Sequence, residues 1–212
     1  EKDREVSAKM FFSGLKYTFI FVFPIILVIV VFAYEGLELW LGKEIAMKST
    51  RVLQLLAFGS ILNCLTYIPT ALIQSAGRPD ITGKLHFLEL PFYLFALYIL
   101  IKFFGIEGAA IAFVLRVSVE VIVLLIMSLK LLPINISSKR LFKFIIGSIP
   151  LILLPLFLNM SLFIKCFYTF ITIFAFIFFG WKIILDQAER NFIIDNIKNK
   201  LFNKKIDSKL FK

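Results

Sequence analysis

Six stretches of this chain are too long and too apolar to fold in water. They run over about 15–34, 52–76, 85–104, 107–130, 144–160 and 163–184. The first, "LKYTFIFVFPIILVIVVFAY", holds one charge, Lys16, at its edge. Runs of about 20 apolar residues are what the roughly 30 Å hydrocarbon core of a bilayer requires. None of the six alternates apolar with polar, as a strand of a membrane barrel would, so helices are the expectation. The fifth, "FIIGSIPLILLPLFLNM", is short and holds two prolines, which leaves its ends open. Only "KFFGIEG" separates the third from the fourth, so their break point has more than one placement.

Composition agrees. Sixty per cent of the 212 residues are hydrophobic and 26 are Phe; mean hydropathy is +0.92. A soluble domain cannot hide that much apolar surface. The fold class expected is all-α: a polytopic membrane bundle over 1–184, followed by a basic tail over 185–212.

The net charge of +10 does not point to nucleic acid, because of where the charges fall. Eighteen of the 24 Lys and Arg lie in alternate segments: the N-terminal stretch, 77–84, 130–143 and the tail from Lys182. The intervening segments hold five, and Arg116 is left over, near the middle of a span. That asymmetry follows the positive-inside rule, which puts both termini of the segment in the cytoplasm. In the tail, Ile193, Ile197 and Leu201 recur at helical spacing. Two readings fit it: a solvated tail, or an amphipathic helix lying on anionic lipid.

Five of the seven prolines (Pro24, Pro69, Pro91, Pro150, Pro155) fall within spans. Each removes a backbone hydrogen bond, which membrane helices tolerate where a neighbour or a cavity satisfies the freed carbonyl. Cys64 and Cys166 sit inside spans with no metal-ligand spacing and read as small hydrophobes. No signal peptide is expected, since residues 1–14 are polar and the first apolar run is long enough to span. The opening "EKDREVSAKM", without an initiator Met, reads as the start of a piece of a longer protein.

Polar residues inside the spans are the functional candidates. Ser60, Asn63, Tyr67, Thr70 and Gln74 recur at steps of three and four and share one helix face, suited to other helices or to water. His86, Glu89 and Tyr93 open the third span at spacing i, i+3, i+7, placing the one histidine a turn from a carboxylate. That suits a proton site, or a satisfied interfacial histidine. In the fourth span Arg116 and Glu120 stand at i, i+4 on one face. Arg116 lies about 14 Å from the outer end and about 21 Å from the inner one at 1.5 Å per residue. A charge at that depth costs about 2.5–3.5 kcal/mol even on the lenient insertion scale.

Arg before Glu is the weaker order for such a pair, so further partners are expected. By the same arithmetic Asn63 comes level with Arg116, and Tyr67 with Glu120. Glu89 comes out only about 7 Å in, too far off for direct pairing with Arg116. The expectation is a polar layer at mid-depth built from Arg116, Glu120 and Asn63. It is either an ion pair that fixes helix register or a site facing a cavity.

The order and spacing of "LWLG", "SAGRPDITGK", "LELPFY" and "FGIEGAAIAFVLR" over about residues 15–130 resemble the C-terminal part of polysaccharide-repeat-unit flippases. These belong to the multidrug/oligosaccharidyl-lipid/polysaccharide exporter superfamily. The resemblance implies six helices forming most of one lobe of a two-lobed, alternating-access transporter in the cell membrane. Its substrate would be a polyprenyl-pyrophosphate-linked oligosaccharide, turned from the cytoplasmic to the outer leaflet. Arg116 would be a cavity cation, and Arg78 and Lys84 cations at the cytoplasmic entry. The polar stripe and depth arithmetic add Asn63 and Tyr67 as further candidates for the cavity. Glu120 and Glu89 would be candidates for coupling to a proton or sodium gradient, with no other cofactor; His86 joins them on its spacing to Glu89. The implied partners are the bilayer, the glycan lipid, a first lobe absent from this segment and the machinery that polymerises the glycan.

No P-loop, metal-spacing cluster or nucleophile–histidine pair is visible in the sequence, so no enzyme is expected. Rival readings are a drug exporter of the same superfamily, a glycan-polymerising membrane enzyme and a structural subunit. The second is disfavoured because the outer loops hold no His and only five Lys or Arg.

Overall fold

The computed structural model describes residues 2–132, 138–157 and 161–184; the expected basic tail lies outside the described residues. These form six α-helices: α1 (Lys2–Val31), α2 (Ala33–Leu41), α3 (Lys43–Ser75), α4 (Pro79–Leu131), α5 (Ser138–Phe157) and α6 (Leu162–Phe179). A π-helical turn, Gly180–Ile184, follows α6. No strand occurs among the described residues. Four of the helices are long and apolar enough to cross a membrane. The chain is an all-α, multi-pass membrane helix bundle.

The 53 residues of α4 are two helices joined at Gly105, whose φ of 58° and ψ of −136° break the helical run. Such a backbone favours glycine, which has no Cβ to clash. A second glycine closes the turn. A Cβ on Gly108 would stand 2.0 Å from the Leu100 carbonyl oxygen, so only hydrogen fits there. The chain therefore reverses within "FFGIEG", and residues 79–104 and 106–131 run antiparallel as two arms. Each arm is roughly 26 residues, or about 39 Å.

Differences from the sequence reading have local causes. The arm expected from 85 begins at Pro79. Gly77 (φ 75°) ends α3 in a Schellman turn, with Arg78 N–H donating to the Ile73 carbonyl at 3.2 Å. Pro79 then stands at the first helical position, where its missing N–H costs nothing. Polarity in "RPDITGK" thus marks a helix protruding beyond the hydrocarbon. Likewise α1 begins at Lys2, and Lys16, expected at a span's edge, is only 7% exposed. Its ammonium sits 4.9 Å from the centre of the Tyr17 ring.

The stretch expected as loop, 35–51, is helical except at Gly42, because α2 fills its first part and α3 already begins at Lys43. α2 is too short to reveal itself by apolar length, and its Leu39 and Trp40 are almost fully exposed. A Trp at a helix end suits the membrane–water interface. Glu35 of α2 accepts from Lys165 of α6 at 2.8 and 3.0 Å, which ties the two helices together.

α3 is the most extensively packed helix, against α4, α1 and α2, while α1 joins it to α5 and α6. In α1, Phe11, Leu15, Phe19, Phe23 and Leu27 recur every four residues and are all buried. Phe23 stacks on Phe176 of α6 with centroids 4.0 Å apart and planes 9° from parallel. Phe19 and Phe144 of α5 close around the same ring. Each such pair adds about 0.5–1.5 kcal/mol beyond area burial. Gln54 of α3 donates to the carbonyl of Val30 at 2.9 Å, satisfying a C-terminal carbonyl that α1 leaves open.

Candidate functional site

The hairpin of α4 decides which polar groups meet. Glu89 stands sixteen residues before Gly105 and Glu120 fifteen after it; Tyr93 stands twelve before and Arg116 eleven after. Antiparallel arms bring such positions level. The helix starting at Pro79 puts Glu89 about 15 Å from that end, and Glu120 lies about 16 Å from Leu131. The offset expected between Glu89 and the Arg116–Glu120 step is therefore corrected: the hairpin sets Glu89 level with Glu120, and the helix starts six residues before its apolar run.

Four charged or ionisable groups converge there. Arg116 Nη2 donates to Glu120 Oε2 at 3.3 Å, so the i, i+4 pair forms despite its less favourable order. The other Glu120 oxygen lies 4.0 Å from His86 Nδ1, and a Glu89 oxygen lies 3.8 Å from the same nitrogen. Arg116 also sits over the Tyr93 ring, 5.6 Å from its centroid. A guanidinium on an aromatic face gains about 0.5–2 kcal/mol. Neither carboxylate oxygen of Glu89 accepts a hydrogen bond among the described residues, although both are buried.

The expected layer of Arg116, Glu120 and Asn63 is therefore differently composed. Its third member comes from the neighbouring arm, as Glu89 with His86, rather than from α3. The reason is the face that α3 covers. A Cβ on Gly59 of α3 would meet the Phe113 ring at 2.6 Å and Val114 at 3.3 Å, so α3 packs on the side of the second arm turned away from the groove. Asn63 is half-buried and Tyr67 exposed, and neither is among the residues lining the groove described next. Of the rest of the polar stripe, Ser60 bonds back to its own helix at Leu56.

Between the two arms lies a groove of about 760 Å³. Leu88, Phe92, Leu115, Val119, Val123 and Met127 make its walls apolar. Arg78, Asp80 and Lys84 stand at the Pro79 end, where Lys84 pairs with Asp80 at 3.2 Å. Glu89, Tyr93 and Arg116 lie farther along. Side-chain exposure separates the charges: Arg116 is 33% exposed, Glu89 10% and Glu120 6%. The groove meets a guanidinium backed by two buried carboxylates. Apolar walls with cations at the mouth and one partway along suit an amphiphile with an anionic headgroup.

Tyr93 is the contact that residue-by-residue reading passed over as a partner for Arg116. Its signal was a nearly equal distance from Gly105, twelve residues against eleven, which becomes readable only once the hairpin is placed.

Against known proteins, no family model and no solved structure matches this chain. It is similar to a Shigella flexneri protein named "Putative O-antigen transporter", with 32% identity over 112 residues. The match takes in 53% of this chain and 27% of that protein, so the chain spans about a quarter of its relative's length.

Proposed function

We propose that this chain forms most of one lobe of a membrane transporter that turns lipid-linked oligosaccharide repeat units across the bilayer for surface polysaccharide synthesis. The observation that carries the reading is the groove in α4: apolar walls, Arg78 and Lys84 at one end, and Arg116 presented to its interior. The similarity to a protein named for O-antigen transport supports the same substrate class. A polyprenyl pyrophosphate glycan cannot cross hydrocarbon unaided, because its headgroup would lose its hydration. Guanidinium and ammonium groups replace part of that water while the lipid tail stays among apolar side chains. Arg78 and Lys84 receive the headgroup at the cytoplasmic end, and Arg116 holds it at mid-depth.

The exposure order argues against a cationic drug as cargo. Such a ligand would meet Arg116 first, since the guanidinium is the most exposed of the three mid-depth charges, while Glu89, which also lines the groove, is largely buried.

The test is made in the native cell with the gene removed. Lipid-linked repeat units should accumulate on the inner leaflet and clear when the full-length gene is returned. They should stay accumulated when its Arg116→Gln form is returned at equal membrane abundance. Absence of accumulation in the deletion strain overturns the glycolipid reading. Loss of the Arg116→Gln protein from the membrane makes the arginine a structural lock.

A further inference from the structure

We propose that His86, Glu89 and Glu120 form a binding site for one divalent first-row metal ion of the Zn2+ type, set beside Arg116 on the groove. The three residues come from both arms of the hairpin, as a His-x-x-Glu step on the first and a lone Glu on the second. One ligand atom from each lies within 4.8 Å of the others. Helical bundles hold pairs of iron or manganese ions with Glu-x-x-His steps completed by Glu from facing helices; here the step is reversed, but i, i+3 spacing still puts both ligands on one face.

Glu89 supplies an independent sign. Its side chain is nine-tenths buried, neither oxygen accepts a hydrogen bond among the described residues, and its carboxylate points into the cluster. A buried carboxylate without a donor is costly, and a coordinated cation removes that cost. The donor set fits the ion class, since imidazole with carboxylates suits divalent transition metals better than a bare alkali ion. Ligand atoms around a tetrahedral Zn2+ lie about 3.4 Å apart. The two carboxylate distances to His86, 3.8 and 4.0 Å, and the third separation, within 4.8 Å, would each have to shorten to that by side-chain rotation. His86 is half exposed and Glu89 lines the groove, which gives the ion a way in.

Arg116 then acquires a second part. It holds Glu120 by Oε2 while Oε1 faces His86. It thereby orients a ligand from outside the coordination sphere, as ligating carboxylates commonly require. The formal charge of Glu89, Glu120 and Arg116 with a neutral histidine is one negative. A bound divalent ion makes it one positive, beside the groove that the proposed function gives to an anionic headgroup. This consequence rests on that reading; the metal site does not.

The experiment uses purified full-length protein, free of a histidine tag, in lipid nanodiscs with no glycan substrate. Zn2+ is titrated calorimetrically, and Co2+ is followed by its visible d–d absorption. The expected result is a single saturable Zn2+ site and Co2+ bands. Glu89→Gln and His86→Asn should each weaken affinity at least tenfold and abolish the bands. His86→Asn changes a half-exposed position, so it keeps the test valid should Glu89→Gln misfold. Absence of saturable binding, or binding unaltered in both variants, overturns the site. Zn2+ bound by a protein whose deletion leaves no glycan accumulated would keep the site and discard the transport reading. The converse pair of results would do the reverse.

Discussion

The hydroxyl of Tyr168 donates a hydrogen bond to the carbonyl of Leu151, the carbonyl that Pro155 strands by having no N–H four residues later. The carbonyl left open in α5 is thus capped from α6. This is how a proline is accommodated where no water can reach the backbone.

Tyr168→Phe should therefore destabilise the bundle by about 1–3 kcal/mol, the range for a buried acceptor left without a donor. Combining it with Pro155→Ala should return most of the loss, because the helix then supplies its own N–H. Thermal denaturation of the four proteins in one detergent gives the cycle. A loss equally large in both backgrounds would separate the tyrosine from the proline.

Two glycines invite a comparison. At Gly108 a methyl group meets the Leu100 carbonyl, which is backbone and cannot step aside; at Gly59 it meets the Phe113 ring, which can turn. Gly59→Ala should cost about 1–3 kcal/mol, in the usual range for overpacking. Gly108→Ala should cost clearly more and lower the yield of membrane-inserted protein. Equal melting temperatures for the two would mean that the turn at Gly105 yields more readily than its geometry implies.

Electrostatic ties at the Gly105 end should differ by burial. Arg51 and Glu107 approach only to 3.9 Å with one partner well exposed. Their coupling should be under about 1 kcal/mol and vanish in high salt. Lys165 and Glu35 are closer and less exposed, so Lys165→Met should lower stability in a way that salt does not mimic. Double-mutant cycles at low and high salt measure both couplings.

Exposed apolar residues divide into those facing lipid and those facing the groove, and chemistry can tell them apart. A cysteine at Val119, on the groove, should react with a hydrophilic maleimide in proteoliposomes. One at Phe170, exposed on α6 and outside the groove, should stay unreacted. Cys64 and Cys166 are replaced by Ala beforehand. Equal labelling at both positions would mean that the groove is no wetter than the acyl chains.

Residue order alone disclosed the all-helical, membrane-embedded character of the chain, because apolar length is a direct imprint of bilayer thickness. It also disclosed the His86–Glu89 and Arg116–Glu120 steps, each internal to one helix. What escaped were relations between helices. Glu89 was set apart from the Arg116–Glu120 step because the first arm of α4 extends to Pro79, past the end of its apolar run, where the sequence looks like a loop. Asn63 was matched to Arg116 by depth alone, and depth carries no information about azimuth. α2 was invisible because nine residues leave no span-length signal. The Phe23–Phe176 stack joins residues 153 positions apart, and nothing in a chain with 26 Phe marks that pair out.

The reversal at Gly105 also sets an order of events during synthesis. The first arm emerges carrying Glu89, while its neighbours in the cluster, Arg116 and Glu120, are still about thirty residues from being made. At 5–20 residues per second that is an interval of a few seconds. During it the membrane must accept a carboxylate whose compensating guanidinium does not yet exist. A turn of few residues keeps that interval near its minimum, since the second arm follows at once and lies down against the first. Lengthening the turn between Phe104 and Glu107 would therefore be felt first in how much protein reaches the membrane, before any change in the finished bundle.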